Sequence, residues 1–287
     1  MKGFTYHEPQ SISEACSILA SYAGGAHVLA GGTDLIPKMK YGTLQPGALV
    51  NVKRLGLTTI EDKGQTVSIG ALATLTEVID SPVIATRLSL VKEAASQIAC
   101  VRVRNVATIG GNLCNASPSA DMAPPLMVLG AKAQITGPQG DRVVPLEEFF
   151  TGPGQTALTP GELLTGLEIP LLPAQSAAFY LRQSLRRALD IAIVGAAVAL
   201  NLDNAGICQS CRIALGAVAP TPIRARKAES VVIGQKLSGE LIQEAAIAAS
   251  SEARPITDVR GTAEYRRRIV SVLVQRALIR ATEELSR

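Results

Sequence analysis

Two Gly-Gly pairs, each set directly behind an apolar run, constrain this chain more than any other feature. The first lies in Val28-Leu-Ala-Gly-Gly-Thr-Asp34 and the second in Thr108-Ile-Gly-Gly-Asn-Leu-Cys-Asn-Ala-Ser-Pro-Ser-Ala-Asp121. Glycine has no Cβ, so it takes positive φ at little cost and lets a ligand come close to its backbone N–H. Successive exposed N–H groups form a concavity that suits a phosphate or pyrophosphate. One Gly-Gly alone is most often a turn. Here both pairs are followed by polar side chains, Thr33 and Asp34 in one case and Asn112, Ser117, Ser119 and Asp121 in the other. The pattern points to an anion carrying further hydrogen-bonding groups.

With 287 residues, 47% of them hydrophobic and 18% charged, the chain can bury a large core and hold two domains. Tryptophan is absent and aromatics make up 3%, which leaves few stacking surfaces for single-stranded nucleic acid. The net charge of +4 is mild, and Arg266-Arg-Arg268 reads as a solvated helix face, so no nucleic-acid partner is expected. Five scattered cysteines, an odd number, do not form a disulfide framework. The N-terminus lacks a signal-like apolar region and no run reaches membrane-spanning length. These features predict a soluble protein of a reducing cytoplasm.

Ser11-Ile-Ser-Glu14 is a capping-box pattern that opens a helix closed by Gly24-Gly25. His27–Ala30 and Leu49–Val52 read as strands, giving an α/β lobe over residues 1–55 with the first glycine loop at a strand end. A second lobe, 56–174, contains a strand at Val67–Gly70 and helices from Thr74 and Leu90. The alternating segment Val101–Val106 delivers the chain to the second glycine pair. A helix over Asp121–Leu129 follows, then strands at Lys132–Thr136, Arg142–Pro145 and Glu162–Pro170. In residues 175–287, strands at Phe179–Leu185, Ala192–Leu202 and Cys211–Ala217 precede helices at Ala225–Ile233, Gly239–Ala253 and Ala263–Glu284, an α+β arrangement.

Neither a dinucleotide G-x-G-x-x-G fingerprint nor a P-loop is present. His7 and His27 are the only histidines, which leaves little for zinc or a Ser-His-Asp triad. Cys208-Gln-Ser-Cys211 has redox spacing but sits at a strand flank, where the two sulfurs would face opposite sides. Cys114 reads as a small packed residue and His27 as a side chain at the loop edge. Arg186-Arg187 with Asp190 is either a surface turn or a gate beside a ligand.

Leu29-Ala-Gly-Gly-Thr-Asp34 and Thr108-Ile-Gly-Gly-Asn112 resemble the two FAD loops of the flavoprotein subunits of molybdenum hydroxylases. That family includes the medium subunits of carbon monoxide dehydrogenase and bacterial xanthine dehydrogenases. The resemblance continues through Ala116–Asp121, Glu162–Leu164 with Ile169-Pro170, Arg186–Ala192 and Ala219-Pro-Thr-Pro-Ile-Arg224, covering nearly the whole chain in order. It implies an α+β fold: a two-lobed FAD-binding domain of the vanillyl-alcohol-oxidase (PCMH) type, then a C-terminal three-stranded antiparallel sheet with helices. It also implies that Val28, Leu29, Ala30, Gly31, Gly32, Thr33 and Asp34 wrap the pyrophosphate and ribityl region. Ala107, Thr108, Gly110, Gly111 and Asn112 would complete the cradle. Asp121 would bond a ribose or ribityl hydroxyl with Ser117 beside it, and Leu164 would contact the cofactor. Arg182 stands where relatives often carry lysine near the flavin or adenine end, which keeps the charge but changes the donor geometry.

The resemblance further implies partners. A large molybdopterin-binding subunit and a small [2Fe–2S] subunit would join this chain, as a dimer of heterotrimers, with NAD⁺, quinone or dioxygen as acceptor. The five cysteines lack cluster spacing, and no cysteine-bearing insertion supplies an extra cluster. A stand-alone flavin oxidase of the same fold, or an assembly protein that has lost the cofactor, are the other readings.

Overall fold

The computed structural model describes residues 3–186 and 189–286. Among them, no helix is long and apolar enough to cross a membrane. The first lobe is a parallel sheet in the order β1–β3–β2, built from β1 (Thr5–His7), β2 (Ala26–Leu29) and β3 (Ala48–Asn51). Parallel neighbours need crossovers. Here they are α1 (Ile12–Ser21) and, after the first glycine pair, α2 (Leu35–Lys40). Ser11 caps α1 by accepting from the Glu14 N–H at 3.1 Å. The expected reciprocal half is displaced by one residue, because the Glu14 carboxylate takes the N–H of Gln10 at 2.7 Å instead.

The second lobe carries a five-stranded antiparallel sheet in the order β4–β5–β10–β6–β7. Its strands are β4 (Ile60–Asp62), β5 (Thr66–Gly70), β6 (Lys132–Gly137), β7 (Gly140–Pro145) and β10 (Leu163–Pro170). Between them run α3 (Leu75–Asp80), α4 (Pro82–Arg87), α5 (Ser89–Ser96), α6 (Val101–Arg104), α7 (Ile109–Cys114) and α8 (Ala123–Val128). A short α9 (Leu146–Phe149) and the hairpin β8 (Phe150–Gly152) and β9 (Gln155–Thr156) complete the lobe. Two segments differ from expectation. The alternating stretch after Cys100 is a single helical turn, and Gly110-Gly111 lies inside α7 rather than in an open loop. Burial decides the second case: Ile109, Gly110 and Leu113 face the core, and Thr108 caps the turn.

The C-terminal sheet is an antiparallel meander of β11 (Ser176–Gln183), β12 (Val194–Leu202) and β13 (Cys208–Gly216). A fourth strand, β14 (Ile223–Arg224), extends the expected three. Alternate residues of β12 serve different cores. Val194, Ala196, Val198 and Leu200 pack under α10 (Arg226–Val232), α11 (Gly239–Glu252) and α12 (Ala263–Leu285), while Ala197 and Ala199 join the second-lobe core. The strand is therefore buried on both faces. A register shift opposite Asn201/Leu202 turns Cys208 onto the same buried side as Cys211, so both thiols end in the helix-side core. Arg266 is not solvated, as the arginine run suggested. It is 4% exposed and donates to the carbonyls of Ile193 and Ala217 and to Asp258.

Candidate functional site

At the end of β2 the chain turns at Gly32, with φ +74°, and enters α2. Among the described residues, the backbone N–H groups of Gly31, Gly32, Thr33 and Asp34 have no acceptor within the chain. Unpaired N–H groups beside a cavity are donors held ready for an anion. The Asp34 carboxylate accepts from Asn115 Nδ2 at 3.2 Å, and Lys38 donates to Asn115 Oδ1 at 2.6 Å. This chain of contacts joins the first lobe to the second across the mouth of the site. His27 is half-buried, and burial, with the nearby Lys38 charge, lowers its affinity for a proton. It therefore stands as a neutral ring at neutral pH.

The second glycine pair works differently from the first. Gly110 N–H donates to the Ala71 carbonyl at 2.9 Å, and Gly111 N–H donates to Thr108 Oγ1 at 3.0 Å. Neither N–H is free for a phosphate. A Cβ on Gly110 would lie 2.6 Å from the Ala71 oxygen, so close packing of the backbone is what demands glycine there. What this segment offers a ligand is side chains. Asn112 Oδ1 is buried with no partner, a cost that a ligand donor would remove. Ser117 and Ser119 share a hydrogen bond of 3.0 Å.

Asp121 is 8% exposed, and its Oδ1 accepts from the Tyr180 hydroxyl at 2.7 Å. Burial raises its affinity for a proton; Arg182, with Nε 3.4 Å away, and the Tyr180 hydrogen bond oppose that rise.

These groups surround one cavity of about 750 Å³ between the lobes, within the range of small-molecule and cofactor sites. Val28, Ala30, Gly31, Gly32, Thr33, Asp34, Ala107, Thr108, Gly110, Gly111, Asn112, Ser117, Asp121 and Leu164 line it. Leu29 and Arg182 do not: Leu29 lies at the turn beside Gly32, and Arg182 stands behind Asp121. Sequence reading missed the apolar walls at Leu44, Leu72, Ile98, Leu158, Leu163, Leu189 and Ile191, while Asp190, one of the residues suggested as a gate beside a ligand, does line the cavity. No local motif marks the walls, since each is an ordinary apolar residue that the fold brings to a cavity edge. Of the arginine pair suggested as a gate, Arg186 is exposed and Arg187 lies outside the described residues.

Residues 2–172 match the model of the FAD binding domain in molybdopterin dehydrogenase, and residues 179–281 match the CO dehydrogenase flavoprotein C-terminal domain. The chain is 38% identical over 280 residues to the carbon monoxide dehydrogenase medium chain of Afipia carboxidovorans, covering 97% of this chain and 96% of that one. It is 32% identical over 282 residues to a putative xanthine dehydrogenase FAD-binding subunit of Escherichia coli, covering 96% and 95%. In three dimensions it resembles a chain of carbon monoxide dehydrogenase from Hydrogenophaga pseudoflava, with TM-score 0.95, 35% identity and coverage of 99% and 98%. A chain of quinoline 2-oxidoreductase from Pseudomonas putida gives TM-score 0.92 and 30% identity, with coverage of 99% and 99%. With both family models matched in order and the glycine-lined cavity between the lobes, the chain belongs to the family of FAD-binding medium subunits of the molybdenum hydroxylases, and is a flavoprotein subunit of an oxidoreductase.

Proposed function

We propose that this chain holds FAD between lobes 1–55 and 56–174, braced by the domain 175–287. It would take electrons from the [2Fe–2S] clusters of a small partner subunit and pass them to an external acceptor such as NAD⁺ or a quinone. Substrate oxidation would occur on a large molybdopterin-binding subunit, in a cytoplasmic dimer of heterotrimers. When bound, FAD supplies all the redox chemistry; the protein supplies binding, orientation and electrostatics.

The observation that carries this reading is the row of unpaired N–H groups from Gly31 to Asp34 at the edge of a cavity large enough for a cofactor. The residues fit the group. FAD's diphosphate needs N–H donors and a cation, which this row and Lys38 provide. Its polyol needs hydroxyl, amide and carboxylate partners, which Ser117, Asn112 and Asp121 offer. Its ring needs a dry slot, and Ile98, Leu158, Leu163 and Leu164 supply apolar wall. Burial keeps the Cys114 thiol, which also lines the cavity, protonated with a pKa pushed up to about 12. It therefore adds no competing nucleophile.

A visible spectrum of the purified protein, with gel analysis of what accompanies it, tests the reading. Flavin bands with iron–sulfur shoulders and two further polypeptides are the expected result. A colourless preparation that takes up no added FAD would overturn it.

A further inference from the structure

The C-terminal sheet does not line the cavity with a polar side chain of its own strands, yet two of its side chains converge on the one buried carboxylate that does. Tyr180 and Arg182 are alternate residues of β11 and so project from the same face of the strand. That face packs on the second lobe. Tyr180, 3% exposed, donates to Asp121 Oδ1 at 2.7 Å. Its ring has room because the neighbouring strand carries Gly195 there; a Cβ at that position would lie 2.7 Å from the Tyr180 hydroxyl. Arg182 donates through Nη1 to the Gln97 carbonyl at 2.8 Å and through Nη2 to the Asp190 carbonyl at 2.7 Å. Its Nε makes no hydrogen bond and sits 3.4 Å from Asp121 Oδ1, an ion-pair distance. One guanidinium thus ties the second lobe, the cavity-lining Asp190 segment and Asp121 together.

A carboxylate this buried loses its charge unless it is paired and hydrogen-bonded. Tyr180 and Arg182 provide that compensation, and both act on Oδ1, which leaves Oδ2 for a ligand. Burial and the Asp121 charge push the Tyr180 hydroxyl well above its usual range, so it remains a donor at every working pH. We propose that Tyr180 and Arg182 are positioning residues of the cofactor site, holding Asp121 in place through Oδ1 so that its other oxygen accepts a cofactor hydroxyl. The C-terminal domain is then part of the cofactor site, not only a scaffold or docking module. This rests on the reading that Asp121 contacts FAD.

The ionisable groups that act on Asp121 are Tyr180 and Arg182, both from β11. Asp190, whose carbonyl Arg182 grips, keeps its own carboxylate on the N–H groups of Arg186 and Ile191 at 2.8 and 2.9 Å. Loss of either β11 group therefore favours protonated Asp121, and FAD release should begin at higher pH.

The test uses the full chain, in whatever complex it purifies with, stripped of FAD and titrated with FAD by flavin fluorescence across a pH series. Tyr180→Phe, which keeps the ring beside Gly195, is expected to weaken binding about tenfold near neutrality and to move the acid limb of retention upward in pH. Arg182→Gln should move the limb the same way, with Arg182→Lys intermediate. Asp121→Asn should abolish the limb, and adding Tyr180→Phe to it should change nothing more. If Asp121→Asn binds FAD like the wild type, Asp121 is not a cofactor ligand and the underlying reading fails. If Asp121→Asn weakens binding but Tyr180→Phe leaves both affinity and limb unmoved, or lowers affinity equally at every pH, the positioning role fails. Should Arg182→Gln not fold, Tyr180→Phe alone decides.

Discussion

Gly31 lies flat against the carbonyl of Val106, and a Cβ on it would overlap that oxygen and touch the Ala107 Cα at 3.0 Å. The first glycine loop and the segment leading to the second are thus in direct backbone contact, with no space for even a methyl group between them. Gly31→Ala must either push the two segments apart or twist the row of N–H groups. We expect the variant to purify with most of its flavin lost, read as the ratio of flavin to protein absorbance. Normal flavin content would mean that the contact can relax without disturbing the site.

Gly111→Val is expected to lose FAD as well, but for a different reason. Its Cβ would meet Thr108 Oγ1 at 2.8 Å, the atom that caps α7 by accepting the Gly111 N–H. Thr108→Ala removes the same cap without added bulk and should cost about 1 kcal/mol of stability. Comparing the two by thermal unfolding and flavin content separates loss of the cap from steric damage.

Arg142 grips Glu162 through two bonds of 2.6 and 2.8 Å, and Glu162 also accepts from the Thr159 N–H at 2.7 Å. Chiefly through the Arg142 hydrogen bond, the Glu162 carboxyl is held down from 4.5 to about 2. A depressed carboxyl contributes stability that is full above its unfolded value and lost as pH falls through the folded one. Glu162→Gln should therefore cost about 1–2 kcal/mol at neutral pH, a figure kept low because Arg142 is partly exposed. The difference in melting temperature from wild type should shrink between about pH 4.5 and pH 2. A gap that stayed constant through that window would show that the ion pair does not carry the effect.

All five cysteines are free, and four of them have thiols raised by burial: Cys16, Cys114, Cys208 at about 11 and Cys211. Thiolate is the reactive form. Alkylation of the native protein at mildly alkaline pH should mark Cys100 first, and denaturation should release all five. Peptide mass mapping reads the order; rapid labelling of Cys114 would contradict the raised pKa that keeps its thiol protonated.

Much of this architecture was legible in the residues because short-range signals agreed with the tertiary outcome. Val28-Leu29 running into Gly31-Gly32 reads as a strand end entering a tight turn, and β6, β7 and β10 fall within two residues of their expected bounds. The second glycine pair misled because glycine is a poor helix former, yet the Thr108 cap and the burial of Ile109 and Leu113 outweigh that preference in α7. The two-residue β14, close behind Pro220 and Pro222, is too short to show a period, and exists because β13 offers an edge to pair with. The cavity walls were hidden for a related reason. Ile98, Leu158 and Ile191 carry no chemical signature, and only the packing of distant segments assembles them.

The order in which the ribosome delivers these parts now matters. Both glycine segments and Asp121 emerge well before Tyr180, Arg182 and the Leu189–Ile191 wall, and Arg266, which fastens the Ile193 and Ala217 carbonyls, emerges last of all. Domains generally fold as units in the sequence in which they are made. The first two lobes can therefore collapse while the carboxylate still lacks its clasp and one side of the cavity is missing. On the proposed reading, a chain made only as far as β10 carries both glycine segments and Asp121 without Tyr180, Arg182 or the Leu189–Ile191 wall, so firm cofactor retention is expected only after β11 and the segment behind it have been made.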